Sequence, residues 1–135
     1  MKNISAHFVE GCIEPDLIME IINRQSEKFN TGAQFLFLGQ VRNDMKNGSE
    51  VKSIFYSAYH EMAEKIICEI EDNIISEYRL NELRIIHSTG IVSKGEISFL
   101  VFAASSHRDG IFEAVEKTVE RIKKEAPVWK KEIFQ

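Results

Sequence analysis

The chain is poor in the residues from which disulfides, metal centres and membrane spans are made. It has two cysteines, Cys12 and Cys68, which stand far apart and fit no metal-ligand spacing, so reduced thiols are expected. His7, His60, His87 and His107 form no HxH or HxxxH pair, which argues against a zinc site, and no resident metal is expected. GxxxxGK[ST], GxGxxG and GxSxG are absent, which argues against P-loop hydrolysis, Rossmann cofactor binding and α/β-hydrolase chemistry. No apolar run approaches the ~20 residues of a membrane span, and the N-terminus lacks the basic and apolar regions of a signal peptide. Basic residues are also short: the formal net charge is −4 and the pI about 5.6, which argues against broad nucleic-acid binding while leaving room for a small basic pocket. The expectation is a cytoplasmic protein with neither membrane nor nucleic acid as partner.

What is present suffices for a packed core. The 135 residues are 44% hydrophobic and 28% charged, so a single domain over 1–135 is expected. Ile4 to Val9 alternates as a strand does. Pro15 and Asp16 open a helix with Leu17, Ile18, Ile21, Ile22 and Phe29 on one arc, ended by Asn30-Thr31-Gly32. Ala33 to Val41 is apolar on both faces and reads as a central strand. Asn43 to Glu50 is a polar loop with an Asn-Gly turn signal. Val51 to Tyr59 is a strand leading into a helix over about Glu61 to Tyr78, with Ala63, Ile66, Ile67, Ile70 and Ile74 as its stripe. Leu83 to His87 is a strand, Gly90 and Gly95 bracket an excursion, and Glu96 to Ser105 is a strand apolar on both faces. Gly110 to Lys124 is a third helix, with Phe112, Val115, Val119 and Ile122 as its stripe. The order implies an α+β domain with helices on a mainly antiparallel sheet, its first six elements in ferredoxin-like order.

The only Trp, one of two prolines and four lysines fall within Lys123 to Glu132. Lys123 follows Val119 by four residues and lies at the edge of the buried stripe, whereas Lys124 turns about 100° toward solvent. Partial desolvation would fit Lys123 as a base or nucleophile; the same place suits a lysine snorkelling at a helix C-terminus. Pro127 stops the helix, and on the extended segment beyond it Val128, Lys130 and Glu132 share a face. Glu132 could then hold Lys130, or the two could form a surface ion pair of little worth. His107 and Arg108 sit between a buried strand and the third helix, where backbone N–H groups attract anions and where Ser106 or Asp109 could equally cap the helix. Arg42 ends the central strand, placed for a cleft or for Asp44 and Glu50. His87 suits a structural hydrogen bond; Tyr56 and Tyr59 suit packing.

Taken in order, these segments resemble one family. Gly32-Ala33 with Phe37-Leu38-Gly39-Gln40-Val41-Arg42 is similar to its strand "GA…F-x-G-x-V-R". Tyr56-Ser57-Ala58-Tyr59 with Met62-Ala63, and His87-Ser88-Thr89-Gly90 with Gly95-Glu96, resemble two further motifs, with Ser57 and Ser88 where the family has Glu and Arg. Ser106-His107-Arg108, Lys123 and Ala126-Pro127-Val128-Trp129-Lys130-Lys131-Glu132 resemble "S-x-H-R…K…P-x-W-K-x-E". This is the pattern of the catalytic, large subunits of molybdopterin synthase.

The resemblance implies an α/β-hammerhead-type fold with an added antiparallel β subdomain, in place of the ferredoxin-like order. It implies sulfur transfer from the C-terminal Gly-Gly thiocarboxylate of a small ubiquitin-like sulfur-carrier subunit to cyclic pyranopterin monophosphate, giving the dithiolene of molybdopterin. It implies a homodimer within a heterotetramer and no cofactor. Lys123 and Lys130 would be catalytic, while Phe37, Arg42, His107, Arg108 and Glu132 would bind substrate or orient the lysines. The other reading is a non-catalytic paralogue that binds the carrier or a phosphorylated ligand.

Overall fold

A computed structural model describes residues 7–135 of the chain, so the first residues of the expected strand Ile4–Val9 lie outside the described part. The strand forms over its end, β1 (Phe8–Glu10). It is followed by α1 (Pro15–Arg24), β2 (Ala33–Gln40), β3 (Met45–Lys46), β4 (Ser49–Ala58), α2 (His60–Tyr78), β5 (Glu82–Ser93), β6 (Ile97–Ser105), α3 (Ile111–Glu125) and β7 (Val128–Phe134). The strands run in the order β2-β6-β5-β4-β3, with β1 added to β5 and β7 to β4. Every pairing is antiparallel except β1 with β5. The α+β class is therefore as the sequence implies. The ferredoxin-like order is not formed: among the described residues β1 spans Phe8–Glu10 and pairs with β5 alone, and the strand order is β2-β6-β5-β4-β3.

β5 is one long strand where a short one and an excursion are expected. Its first half, Glu82 to His87, pairs with β6, and its end, Gly90 to Ser93, pairs with β4. Gly90 sits between the two halves with φ 80°, a backbone state that side-chain-bearing residues adopt at a cost, so the glycine lets one strand change partners without breaking. The polar loop Asn43–Glu50 is likewise more ordered than expected. Asn47 (φ 51°) and Gly48 (φ 80°) make the tight turn of the β3–β4 hairpin, and β4 begins at Ser49.

β6 is apolar on both faces because both are covered. Phe99, Val101 and Ala103 meet the stripes of α2 and α3, while Leu100, Phe102 and Ala104 meet Val9, Ile13 and Ile21 on the α1 side. Ala63, Ile67, Ile70 and Ile74 of α2 are each 0% exposed, and each of the three isoleucines gains about 1.5–3 kcal/mol by that burial. Three stripe residues fall outside the expected pattern. α1 ends at Arg24 and tightens into a 3₁₀ turn over Gln25–Glu27, so its apolar arc never reaches Phe29, which is 94% exposed, and Ile22 is only partly covered. On α3 the buried set is Ile111, Ala114, Val115, Thr118 and Ile122; Phe112 is 64% exposed and touches Phe35 edge-on instead.

Two histidines, His7 buried and His87 partly buried, carry opposite electrostatics. His7 is clamped onto α2: its Nδ1 donates to Glu64 and its Nε2 donates to Glu71 at 2.9 Å. Burial works against its charge, but the hydrogen bonds and charges of Glu71 and Glu64 outweigh it and hold its pKa above the ordinary 6.5. His87 is enclosed by Phe8, Tyr56 and Phe99, with Nδ1–H donating to the Ser88 carbonyl at 2.7 Å. Burial, followed by the nearby Lys123 charge, pushes its pKa below 6.5 against the opposing hydrogen bond.

Two tests follow from this packing. A Cβ at Gly32 would lie 2.2 Å from the Ser106 carbonyl oxygen, a backbone atom that cannot step aside, so Gly32→Ala lowers stability by about 1–3 kcal/mol in urea denaturation. His87 binds fewer protons folded than unfolded. Its contribution is therefore full above pH 6.5 and is lost as the pH falls toward its folded pKa; His7 behaves oppositely, losing its contribution as the pH rises through its folded pKa. Between pH 7 and 5 the urea midpoint of the wild type should fall more steeply than that of His87→Phe. Parallel curves would contradict a depressed His87 pKa.

Candidate functional site

The turn from α3 into β7 builds the site. α3 leaves two lysines in its last turn, where the helix dipole favours them, and the chain leaves the helix at Ala126 in an extended conformation ahead of Pro127. β7 then folds back along β4, placing Val128 opposite Ala58, Lys130 opposite Tyr56 and Glu132 opposite Ile54. Period-two alternation turns Val128 inward and carries Lys130 and Glu132 to the same side. The space between this ribbon, the end of α3 and the end of β2 is a cavity of about 530 Å³.

Five of the seven residues singled out in the sequence line that cavity: Phe37, Arg42, Lys123, Lys130 and Glu132. Phe37 forms an apolar wall, edge-on to Phe99 at 5.9 Å between ring centroids. Arg42, Lys46, Lys123 and Lys130 supply four cations against two carboxylates, Asp44 and Glu132. Both carboxylates are already engaged. Asp44 faces Arg42 at 3.4 Å, and Glu132 accepts from Lys46 at 2.5 Å. Glu132 thus ties down the β3–β4 hairpin rather than orienting Lys130, because the hairpin brings a second lysine to it. Among the described residues neither Lys123 nor Lys130 has an ion pair or hydrogen bond, and both are exposed to the cavity and solvent. The partial desolvation expected of Lys123 is therefore not present in the isolated chain.

His107 and Arg108 do not line this cavity. They lie exposed on the connection between β6 and α3, where Ser105 Oγ donates to the His107 carbonyl. Neither Ser106 nor Asp109 caps α3; Gly110 takes the N-cap position in the left-handed region, with no side-chain capping bond. Trp129 is 58% exposed at the cavity rim, so Pro127 and the β4 ladder, not the indole, fix the corner.

Two residues of the site are not evident from sequence. His87 lines the cavity floor beside Lys123 with its Nε2 lone pair unprotonated, since Nδ1 holds the hydrogen donated to Ser88. Lys46 reaches Glu132 across a separation of 86 residues, and no local pattern in a polar hairpin announces that partner. The Tyr56 hydroxyl bonds Ser98 Oγ at 3.2 Å, closing the floor from below. The arrangement can hold an anion at Arg42 and present two uncommitted amines to it across an apolar wall.

Known proteins share this frame. A family model described as MoaE protein matches residues 11–125. A molybdopterin synthase catalytic subunit from Thermoplasma volcanium is 33% identical over 135 residues, spanning 100% of this chain and 95% of the relative. The crystal structure of molybdopterin synthase from Staphylococcus aureus superposes with a TM-score of 0.81 at 30% identity, covering 98% of this chain and 94% of that one. A complex of subunits 1 and 2 of molybdopterin-converting factor from Helicobacter pylori gives a TM-score of 0.81 over 96% of this chain and 84% of that one; at 22% identity the likeness is one of fold. With the family model covering most of its length and a relative aligned end to end, this chain belongs to the MoaE protein family, that of the molybdopterin synthase catalytic subunits.

Proposed function

We propose that this chain is the catalytic subunit of a molybdopterin synthase, a single-domain sulfurtransferase of the cytoplasm. It takes sulfur from a thiocarboxylated, Gly-Gly-ending small carrier and places it on cyclic pyranopterin monophosphate. The observation that carries this reading is the cavity in which Arg42, Lys123 and Lys130 converge, with Lys123 and Lys130 lacking a carboxylate partner among the described residues. The substrate's cyclic phosphate is an anion, and the carrier's thiocarboxylate is another. Both need cations that are not already neutralised by protein partners. Phe37 supplies an apolar face for the flat pterin.

Lys123 stands near His87 in the cavity and is assigned to the thiocarboxylate. Its ammonium pairs with the thiocarboxylate as sulfur bonds to the substrate carbon, and then stabilises the oxyanion formed when water adds to the acyl carbon, before the carbon–sulfur bond breaks and the carrier leaves as a carboxylate. Lys130, held in register by Tyr56, is assigned to the proton transfers of ring opening and water loss. Because Lys123 is exposed in the isolated chain, the carrier's tail filling the cavity would displace the water that screens its ammonium and strengthen its pairing with the thiocarboxylate. The Helicobacter pylori complex, in which a homologous fold is joined to a second subunit, supports a carrier partner. His107 and Arg108 lie outside the cavity on their own chain, so their phosphate-binding role requires a neighbouring copy in a homodimer within a heterotetramer.

Lys123→Ala and Lys130→Ala should each lower product formation by about 10²-fold or more, with unchanged circular dichroism and thermal midpoint. The assay uses thiocarboxylated carrier and cyclic pyranopterin monophosphate; near-normal rates in both variants would refute the assignment. A wild-type chain that binds the carrier yet forms no product would instead identify a non-catalytic paralogue. Mixing Lys123→Ala chains with Arg108→Ala chains should restore activity that neither has alone, since one site of each mixed dimer then has both residues intact. Absence of rescue in verified mixed dimers would place Arg108 outside the site.

A further inference from the structure

One face of α2 carries a second group of chemistry-bearing side chains, separate from the cavity. Glu64, Cys68 and Glu71 are spaced four and three residues apart, so they project along one side of the helix. His7 is pressed against them, its side chain 6% exposed, with Nδ1 bonded to Glu64 and Nε2 to Glu71. One ligand atom each from His7, Cys68 and Glu71 lies within 4.8 Å of the other two. An ion pair alone accounts for the histidine and the carboxylates. It does not account for a thiol held at the same focus.

We propose that His7, Cys68 and Glu71 form a binding site for a borderline divalent cation of the zinc class, with Glu64 as its positioning residue. The donors are one imidazole, one thiolate and one carboxylate, a set that zinc accepts and that magnesium or calcium, which take oxygen, do not. The spacing is also right in scale. Two ligands about 2.0–2.1 Å from a tetrahedral ion stand roughly 3.3 Å apart, and His7 Nε2 and Glu71 Oε1 stand at 2.9 Å. On binding, the ion replaces the Nε2 proton and the Cys68 thiol proton, both of which pass to solvent. Glu64 keeps the Nδ1 proton and thereby fixes which nitrogen ligates. Cys68 is exposed, so the ion has an entry path and a fourth position open to water.

The site would be structural in its effect. His7 precedes β1, and its carbonyl accepts the backbone N–H of His87 at 2.8 Å. An ion there would pin the edge strand to α2 and brace the strand that carries His87 into the cavity. The sequence hides the site because His7 and its carboxylate partners are 57 and 64 residues apart.

The test uses the full chain, stripped of metal and titrated with Co²⁺ and then Zn²⁺. The expected result is one Co²⁺ per chain with a near-ultraviolet thiolate-to-cobalt charge-transfer band, displaced by stoichiometric Zn²⁺. Saturating Zn²⁺ should also raise the wild-type thermal midpoint. Cys68→Ser should abolish the band and weaken binding at least tenfold. Glu64→Gln should retain the band while weakening affinity by about 10–100-fold. His7→Ala removes a buried side chain and can unfold the protein, so the exposed Cys68 and the helix-surface Glu71→Gln serve as the deciding variants. No one-to-one binding, or a band and affinity unchanged in both Cys68→Ser and Glu71→Gln, would overturn the proposal.

Discussion

The antiparallel ladder between β4 and β7 holds Lys130 in place, and the rest of the candidate site depends on it. Residues 128–134 bury little of their own surface: three of them are charged, and Trp129 and Phe134 are exposed. Their position is set by backbone hydrogen bonding to β4, with Val128 packed inward at one end. Side chains alternate along a strand, so a slip of one residue would turn Lys130 and Glu132 out of the cavity and bring Trp129 and Lys131 in. The corner at Ala126 and Pro127 guards against that slip. It fixes where the strand begins, and the Tyr59 N–H bonds the Pro127 carbonyl at 3.2 Å on the facing side.

Electrostatic design separates the two ends of the cavity. At the hairpin side of the cavity, charges are paired: Glu132 with Lys46 and Asp44 with Arg42, with Glu50 and Lys94 paired nearby on β4 and the β5–β6 turn. These pairs are exposed or half-exposed, so each contributes little stability, but together they define the hairpin's place. Further in, Lys123 and Lys130 stand without counter-charge beside an uncharged imidazole. A net acidic protein thus keeps a local surplus of positive charge where an anionic ligand would enter, and that field also favours encounter with an acidic partner tail.

Much of this was legible before any coordinates. β6 could be read as buried on both faces because Glu96 to Ser105 is apolar without alternation, and the structure covers both faces with helices. The lysine phasing was legible for a similar reason: a proline separates a 3.6-residue period from a two-residue one, and each period assigns one lysine inward. Long-range partners were not legible. Glu132 has Lys130 two residues away in sequence but binds Lys46, because hairpin geometry, not local spacing, decides which cation arrives. Phe29 and Phe112 illustrate the same limit. Each continues an apolar arc on paper, yet α1 stops before Phe29, and Phe112 sits where the sheet ends and only Phe35 remains to meet it. His107 and Arg108 match their motif in order, yet they lie outside the cavity, since a motif gives sequence order and not the direction a connecting loop faces.

The change of partners at Gly90 also bears on how the molecule comes into being. β5 pairs first with β6 and then with β4, and β4 is completed by β7, whose ladder joins residues 51–58 to residues 128–134. Closing so distant a contact is entropically slow compared with forming α2 or the β3–β4 hairpin. A chain still being synthesised can therefore assemble the β5–β6 core with α2 packed on it while the lysine cavity has no outer wall. On this order the bulk of the fold forms first and the wall of the cavity last, so an unfinished chain has the core without the pocket.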